Sequence, residues 1–197
     1  MYLGPCMGEG GESSDKSKSS LLRDVEVPTE PPQFPITQLA ELCQHLSDEQ
    51  APFLRHLDGC LTMGWLPQGD DRLGVTRFEM DHNAIYRAKR LRMPPGDVTI
   101  MLHPVLLRDE VLHQHTLVHE LLHAAGLADH GQEHTEWLDL LAPPPSMANS
   151  LLLQGLRSEI IGNSKHDQWS CSNCGFNWER ATVRRPSRCP KCARSMG

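Results

Sequence analysis

The sequence predicts a mixed α+β body followed by a small metal-stapled module, and three observations predict it. Helical and strand-like periodicities interleave between residues 36 and 150. A histidine-rich helical run, "LVHELLHAAGLADHGQEHTEW" (117–137), sits late in that region. The segment 165–197 carries two C-x-x-C pairs but too few apolar residues to bury a core of its own.

Taken in order, residues 1–35 are rich in Gly, Ser, Glu and Pro and close on "VPTEPPQFP", whose prolines disfavour regular structure; they predict a disordered leader. In 36–60, Ile36, Leu39, Leu42 and Leu46, then Phe53, Leu54 and Leu57, recur at helical spacing and predict one or two helices. "RLGVTRFEM" (72–80) reads as a strand. A second strand follows where Val98, Ile100 and Leu102 alternate, before a proline ends the pairing. "RDEVLHQHTLVHELLHAAG" predicts a long helix with Asp109 and Glu110 in its first turn and Gly126 as its stop. "HTEWLDLLA" predicts a short helix closed by Pro143–Pro145. The expected organisation is a leader (1–35), a body (36–150), a linker (151–164) and a cysteine module (165–197).

Charge divides along the same line. The chain carries a net −6. From Lys165 onward seven Lys/Arg face two acids, giving +5, so the rest carries −11. Any polyanion contact is therefore expected from the tail. No apolar run approaches the ~20 residues of a membrane span. The N-terminus lacks the basic start and apolar stretch of a secretory signal, so the expectation is a cytoplasmic protein without a membrane partner.

Cys171, Cys174, Cys189 and Cys192 have the spacing of a closed tetrahedral zinc site. Each C-x-x-C turn aims two thiolates at one centre, and the stretch between the pairs can return as a hairpin. Between the pairs lie Arg180, Arg184, Arg185 and Arg188, near Trp169, Phe176 and Trp178. Arginines beside aromatic faces suit phosphate contact with base stacking. A solvated basic face that keeps the ribbon in solution is the alternative.

In the body, His119 and His123 are four apart and so share one face of a helix, where both imidazoles can reach one cation. Glu120 projects beside that cation rather than onto it, placed to take a proton from an attacking water. His115 shares the face, but Thr116 stands where the carboxylate would be needed, so His115 reads as a neighbour. A catalytic zinc needs a third protein ligand and an open position. The residues leave three candidates: Asp129, which completes H-x-x-G-x-x-D, His130 and His134.

Together the strand and helix leading into H-E-x-x-H, the following "HGQEHTEWLDLL" and the four-cysteine module with an Arg-rich middle resemble the SprT-like (Spartan-type) zinc metallopeptidases over about residues 36–193. The resemblance implies a small zincin-like metallopeptidase domain with a C-terminal zinc ribbon. It implies His119, His123 and His130 as ligands of a catalytic zinc, Glu120 as the base, and a second, structural zinc in the ribbon. His130 matches because the family's third histidine precedes glycine. Two departures stand out: His134 occupies a position where the family usually has an aromatic, and the loop from His123 to His130 is short. A register shifted to His134 is the alternative.

The implied function is a zinc endopeptidase acting on DNA-associated proteins such as DNA–protein crosslinks, with DNA held by the ribbon. Tethering there would restrain a protease of little sequence preference. Two other readings compete. "HELLHAAGLAD" also resembles the snapalysin-type metzincins, with Asp129 as ligand and Met147 in the Met-turn. A non-enzymatic zinc-ribbon adaptor that binds nucleic acid is the third.

Overall fold

The computed structural model describes residues 20–162, 168–180, 182 and 184–196. Residues 1–19 of the expected leader and 163–167, at the junction of linker and ribbon, lie outside the described residues.

The body is mixed α+β, as its periodicities predict. α2 (Ile36–His45) buries Leu39 and Leu42, and a 3-10 turn (Leu54–His56) runs into α3 (Leu57–Cys60). The sheet has three strands in the order β1-β3-β2, where β1 is Leu61–Trp65, β2 is Gly74–Phe78 and β3 is Val98–Leu102. β1 pairs parallel with the central β3, Leu61 opposite Val98, and β2 pairs antiparallel with it, Gly74 opposite Leu102. β3 alternates buried and half-buried residues, with Val98, Ile100 and Leu102 fully enclosed. β2 is left as an edge, with one side of its backbone unpaired by any described strand.

α5 (Glu110–Ala124) lies against this sheet. Asp109 caps it by accepting from the Leu112 amide (3.0 Å), an interaction worth about 1 kcal/mol. The other Asp109 oxygen receives the Ser150 hydroxyl, and Ser150 in turn caps α7 (Leu151–Gly162) through the Leu153 amide. One carboxylate thus joins two helix starts. At the far end Gly126, at φ 110°, turns the chain where a Cβ would meet the Pro52 ring at 3.2 Å. The α5 end carbonyls are met from outside the helix: Ala125 by the Phe53 amide and Gly126 by Lys89 Nζ of α4 (His82–Leu91). α6 (Gln132–Leu141) then packs beside α5.

Four stretches differ from expectation. Residues 20–35 belong to the body: Leu22 and Val25 enter its core, and the Trp65 indole donates to the Glu30 carbonyl at 2.7 Å. Ser20 and Leu21, in the short α1 (Ser20–Arg23), hydrogen-bond Glu159 of α7, so the stretch expected as a linker from 151 is a helix that holds the leader's end. A Cβ at Gly155 would lie 2.7 Å from Leu21, which explains a glycine in the middle of that helix. β1 and α4 are the other additions. No helix of the described residues is long and apolar enough to cross a membrane.

In the ribbon, β4 (Gln168–Ser170) and β5 (Asn177–Glu179) form an antiparallel hairpin that encloses the first cysteine pair. The sequence places the hairpin between the pairs; instead, each pair sits in its own turn, the second bracketed by an Arg188–Ser195 bridge. Cys171, Cys189 and Met196 make a small buried cluster with Phe176 and Trp178 against it.

His103 makes the fold sensitive to acid. It is 1% exposed, and its Nδ1 accepts the Val105 amide at 3.1 Å, which requires the neutral ring. Burial lowers its proton affinity in the folded state, whereas the unfolded chain titrates near ~6.5. Its contribution is therefore complete above about pH 6.5 and is lost as pH falls below it. Urea midpoints at pH 7.5, 6.0 and 5.0 should fall with pH, and less steeply for His103→Gln than for wild type.

Candidate metal centres and active site

α5 presents His119 and His123 one turn apart, with Glu120 between them turned toward the sheet. The chain reversal at Gly126 returns the Leu127 carbonyl to His123, whose Nδ1–H donates to it at 2.8 Å. That bond fixes the ring's tautomer and leaves Nε2 with a free lone pair, as a metal-ligating imidazole requires. Three residues later the same loop delivers His130. The Nε2 atoms of His119, His123 and His130 lie 3.1–3.2 Å from one another. A tetrahedral ion about 2.0–2.1 Å from each nitrogen would set them about 3.3–3.4 Å apart, so the trio fits zinc closely.

His134 is the second candidate the sequence leaves open. Its donor atom and those of His119 and His123 all lie within 4.8 Å of one another, and its Nε2 is buried without a hydrogen-bond partner among the described residues. It is 2% exposed, bonds the His119 backbone and stacks on the His123 ring at 4.7 Å between centroids. Both His130 and His134 thus stand within reach of the centre that His119 and His123 define. Asp129 is exposed and bears on His123 only through its charge. His115 is held elsewhere, donating from Nδ1 to the Ala142 carbonyl at 2.7 Å. Met147 lies in a groove with Leu153, Leu156 and Ile160 of α7, not beside the imidazoles.

Electrostatics favour cation binding. Burial and then the neighbouring imidazoles push His119 and His134 down to about 4, so both are neutral near pH 7. Burial raises Glu120 above the ordinary carboxylate range, against the opposing Thr76 hydrogen bond and the His130 and Arg72 charges. Glu120 is 6% exposed, and Thr76 Oγ1 lies 2.8 Å from its Oε2 and 2.9 Å from its main-chain oxygen.

The imidazoles and Glu120 open into a cleft of about 410 Å³ whose other wall is β2, with Gly74, Val75, Thr76 and Phe78. A larger cavity of about 600 Å³ lies between the proline-rich strap 31–35 and Trp65, but it holds no comparable donor set. Gly74 and Thr76 went unread in the sequence. An isolated glycine inside a strand pattern was the available signal, since it marks close approach of another group.

In the ribbon, Cys171–Cys192 and Cys174–Cys189 sulfurs are each 3.8 Å apart, and all four lie within 4.8 Å. A tetrahedral ion at about 2.3 Å from sulfur requires about 3.8 Å. The cysteines are free thiols. Burial works against ionising Cys171, but amide donors at Cys174 and Asn173 bring it down to about 6. All four positions are filled by protein, so this site is closed. Arg180 lies over the Trp169 ring at 4.9 Å and Lys191 over Phe176 at 5.4 Å, so two aromatic faces already carry cations. Arg184, Arg185 and Arg188 are exposed.

The chain matches no protein-family model, no curated protein and no solved structure. The two centres therefore stand on their own chemistry: Cys171, Cys174, Cys189 and Cys192 in the ribbon, and His119 and His123 with His134 in the body, could each hold a metal ion, consistent with zinc.

Zinc titration against a chelating dye tests the assignment of donors. Wild type should bind two ions, and Cys189→Ser should lose the ribbon's. His130→Ala should weaken the body site at least about tenfold, the scale of losing a first ligand's support. His134→Phe should leave its affinity within a few fold.

Proposed function

We propose that this protein is a zinc-dependent endopeptidase of the SprT-like kind, acting on proteins held on DNA. The observation that carries this reading is the set of three Nε2 atoms 3.1–3.2 Å apart, beside a buried carboxylate in a cleft walled by a free strand edge.

Three imidazoles beside the cleft would hold a zinc ion, and a catalytic rather than structural site keeps one further position open to water or substrate. A zinc ion held there would polarise the scissile carbonyl and acidify water. An extended peptide can pair with the free edge of β2, which runs along the cleft and would bring a main-chain carbonyl past the imidazoles. Glu120 accepts a proton from the attacking water as its oxygen bonds to the carbonyl carbon. The same carboxyl then gives that proton to the departing amine nitrogen as the C–N bond breaks. Burial, which raises its proton affinity, suits a group that must hold and then return a proton.

The partner reading rests on the ribbon. Its exposed arginines suit phosphates, and its closed cysteine site leaves no room for chemistry of its own. Because Trp169 and Phe176 already hold Arg180 and Lys191, phosphate contact is favoured over base stacking. The metzincin reading is disfavoured because three imidazole nitrogens converge without Asp129 and because Met147 lies away from them.

Glu120→Gln should abolish cleavage of a DNA-bound protein, by at least about a hundredfold given the ~10²–10⁴ scale of acid–base catalysis, while keeping two zinc ions. Unchanged cleavage by that variant would remove the enzyme and leave the adaptor. DNA should stimulate cleavage by the intact chain, and a chain ending at Asn163 should lose that stimulation.

A further inference from the structure

We propose that Gly74 and Thr76 of β2 are positioning residues that hold the Glu120 carboxylate in one orientation, with Oε2 bound and Oε1 left free beside Gly74 as the oxygen that handles the proton. The inference rests on Glu120 being the proton carrier of the proposed peptidase.

Gly74 and Thr76 lie two apart on an edge strand and so share the face that meets α5. Thr76 Oγ1 lies 2.8 Å from Oε2 and 2.9 Å from the Glu120 carbonyl, so its one proton is shared between the tip and the root of that side chain. Oε1 accepts no hydrogen bond among the described residues. It lies instead where a Cβ on Gly74 would be, 2.8 Å from that position, as do Glu120 Cγ and Thr116 Cγ2. Cβ atoms essentially never approach other atoms below 3.0 Å, so any side chain at 74 forces a displacement. Thr116 cannot yield easily, because its hydroxyl is tied to the Leu112 carbonyl at 2.8 Å and its side chain is buried. A side chain at 74 therefore displaces Glu120 together with the strand or Thr116, and either shift breaks the Thr76 bond to Oε2.

The strand therefore acts on the carboxylate in two ways. Thr76 takes one oxygen out of play and stops rotation about the last side-chain torsion. Gly74 leaves the space that the other oxygen and an attacking water need. Neither residue touches the imidazoles through any hydrogen bond, so the metal site should be indifferent to both.

The test uses full-length protein with Thr76→Val, Thr76→Ser and Gly74→Ala, cleaving one DNA-bound protein substrate, with zinc content measured in parallel. Thr76→Val and Gly74→Ala should lower kcat about tenfold or more with KM within about twofold, since misplacement of a reacting group by ~1 Å can cost ~10²-fold. Thr76→Ser should recover most of kcat, and all three should keep two zinc ions. A wild-type kcat in Thr76→Val, or no recovery in Thr76→Ser, overturns the positioning role. Thermal midpoints separate this inference from the peptidase reading. The Tm loss caused by Thr76→Val in the wild-type background should vanish in Glu120→Ala; an equal loss in both overturns the clamp. If wild type cleaves nothing, the peptidase reading falls, and this coupling alone decides whether Thr76 holds Glu120.

Discussion

The site depends on how closely α5 approaches β2. A helix and a strand normally meet through side chains on both, but at Gly74 the strand contributes none, and Glu120 fills the gap. That single close contact buries a carboxylate against a sheet edge while the histidines on either side of it look into the cleft. Had the strand carried even a methyl group there, Glu120 would be pushed outward among the imidazoles it is meant to stand beside. The rest of the body serves this approach. Asp109 and Ser150 fix one end of α5, and Phe53 and Lys89 meet the carbonyls at and just beyond the other, so the helix has little freedom to slide along the sheet.

The same helix also sets the charge states of its titratable groups. Burial does this in opposite senses for the two residue types, because it disfavours charge on either. His119, His123 and His134 lose proton affinity, while the Glu120 carboxyl gains it. Crowding several imidazoles together strengthens the first effect, since each would repel a charged neighbour. A cation arriving in this cluster replaces water around neutral donors that are already aimed. Little reorganisation stands in its way.

Much of this was legible in the sequence, and the limits were physical. β3 was readable because it is central and alternates cleanly. β1 also alternates, at Leu61, Met63 and Trp65, but it follows directly on a helical spacing that ends at Leu57 and so was absorbed into it. α7 was hidden by Gly155, whose reason for being there is Leu21, more than a hundred residues away in the chain. The ordered part of the leader was hidden likewise, because its composition is polar and few of its residues, among them Leu22, Val25 and Phe34, pack into the core. His119, Glu120 and His123 followed from helical spacing alone. The choice between His130 and His134 did not, because it turns on where α6 begins. Gly131 is the cap of that helix, so His130 stands just outside it and can bend back, whereas His134 lies in the first turn and is committed to the packed face.

The two metal-binding clusters differ in what surrounds the donors, and this difference carries the functional argument further than either cluster alone. In the ribbon, four sulfurs enclose the centre and most of the remaining buried surface is their own, so the ion would replace a hydrophobic core. In the body a large core exists without the histidines, built from the sheet, α2 and the buried face of α5. Burying imidazoles and a carboxylate beside that core costs stability, and a protein with a sufficient core gains nothing structural by doing so. His130 sits on an exposed loop and lines the cleft, so the histidine cluster is open on one side where the cysteine cluster is enclosed. A purely structural histidine cluster would be expected to enclose its ion as the cysteines do.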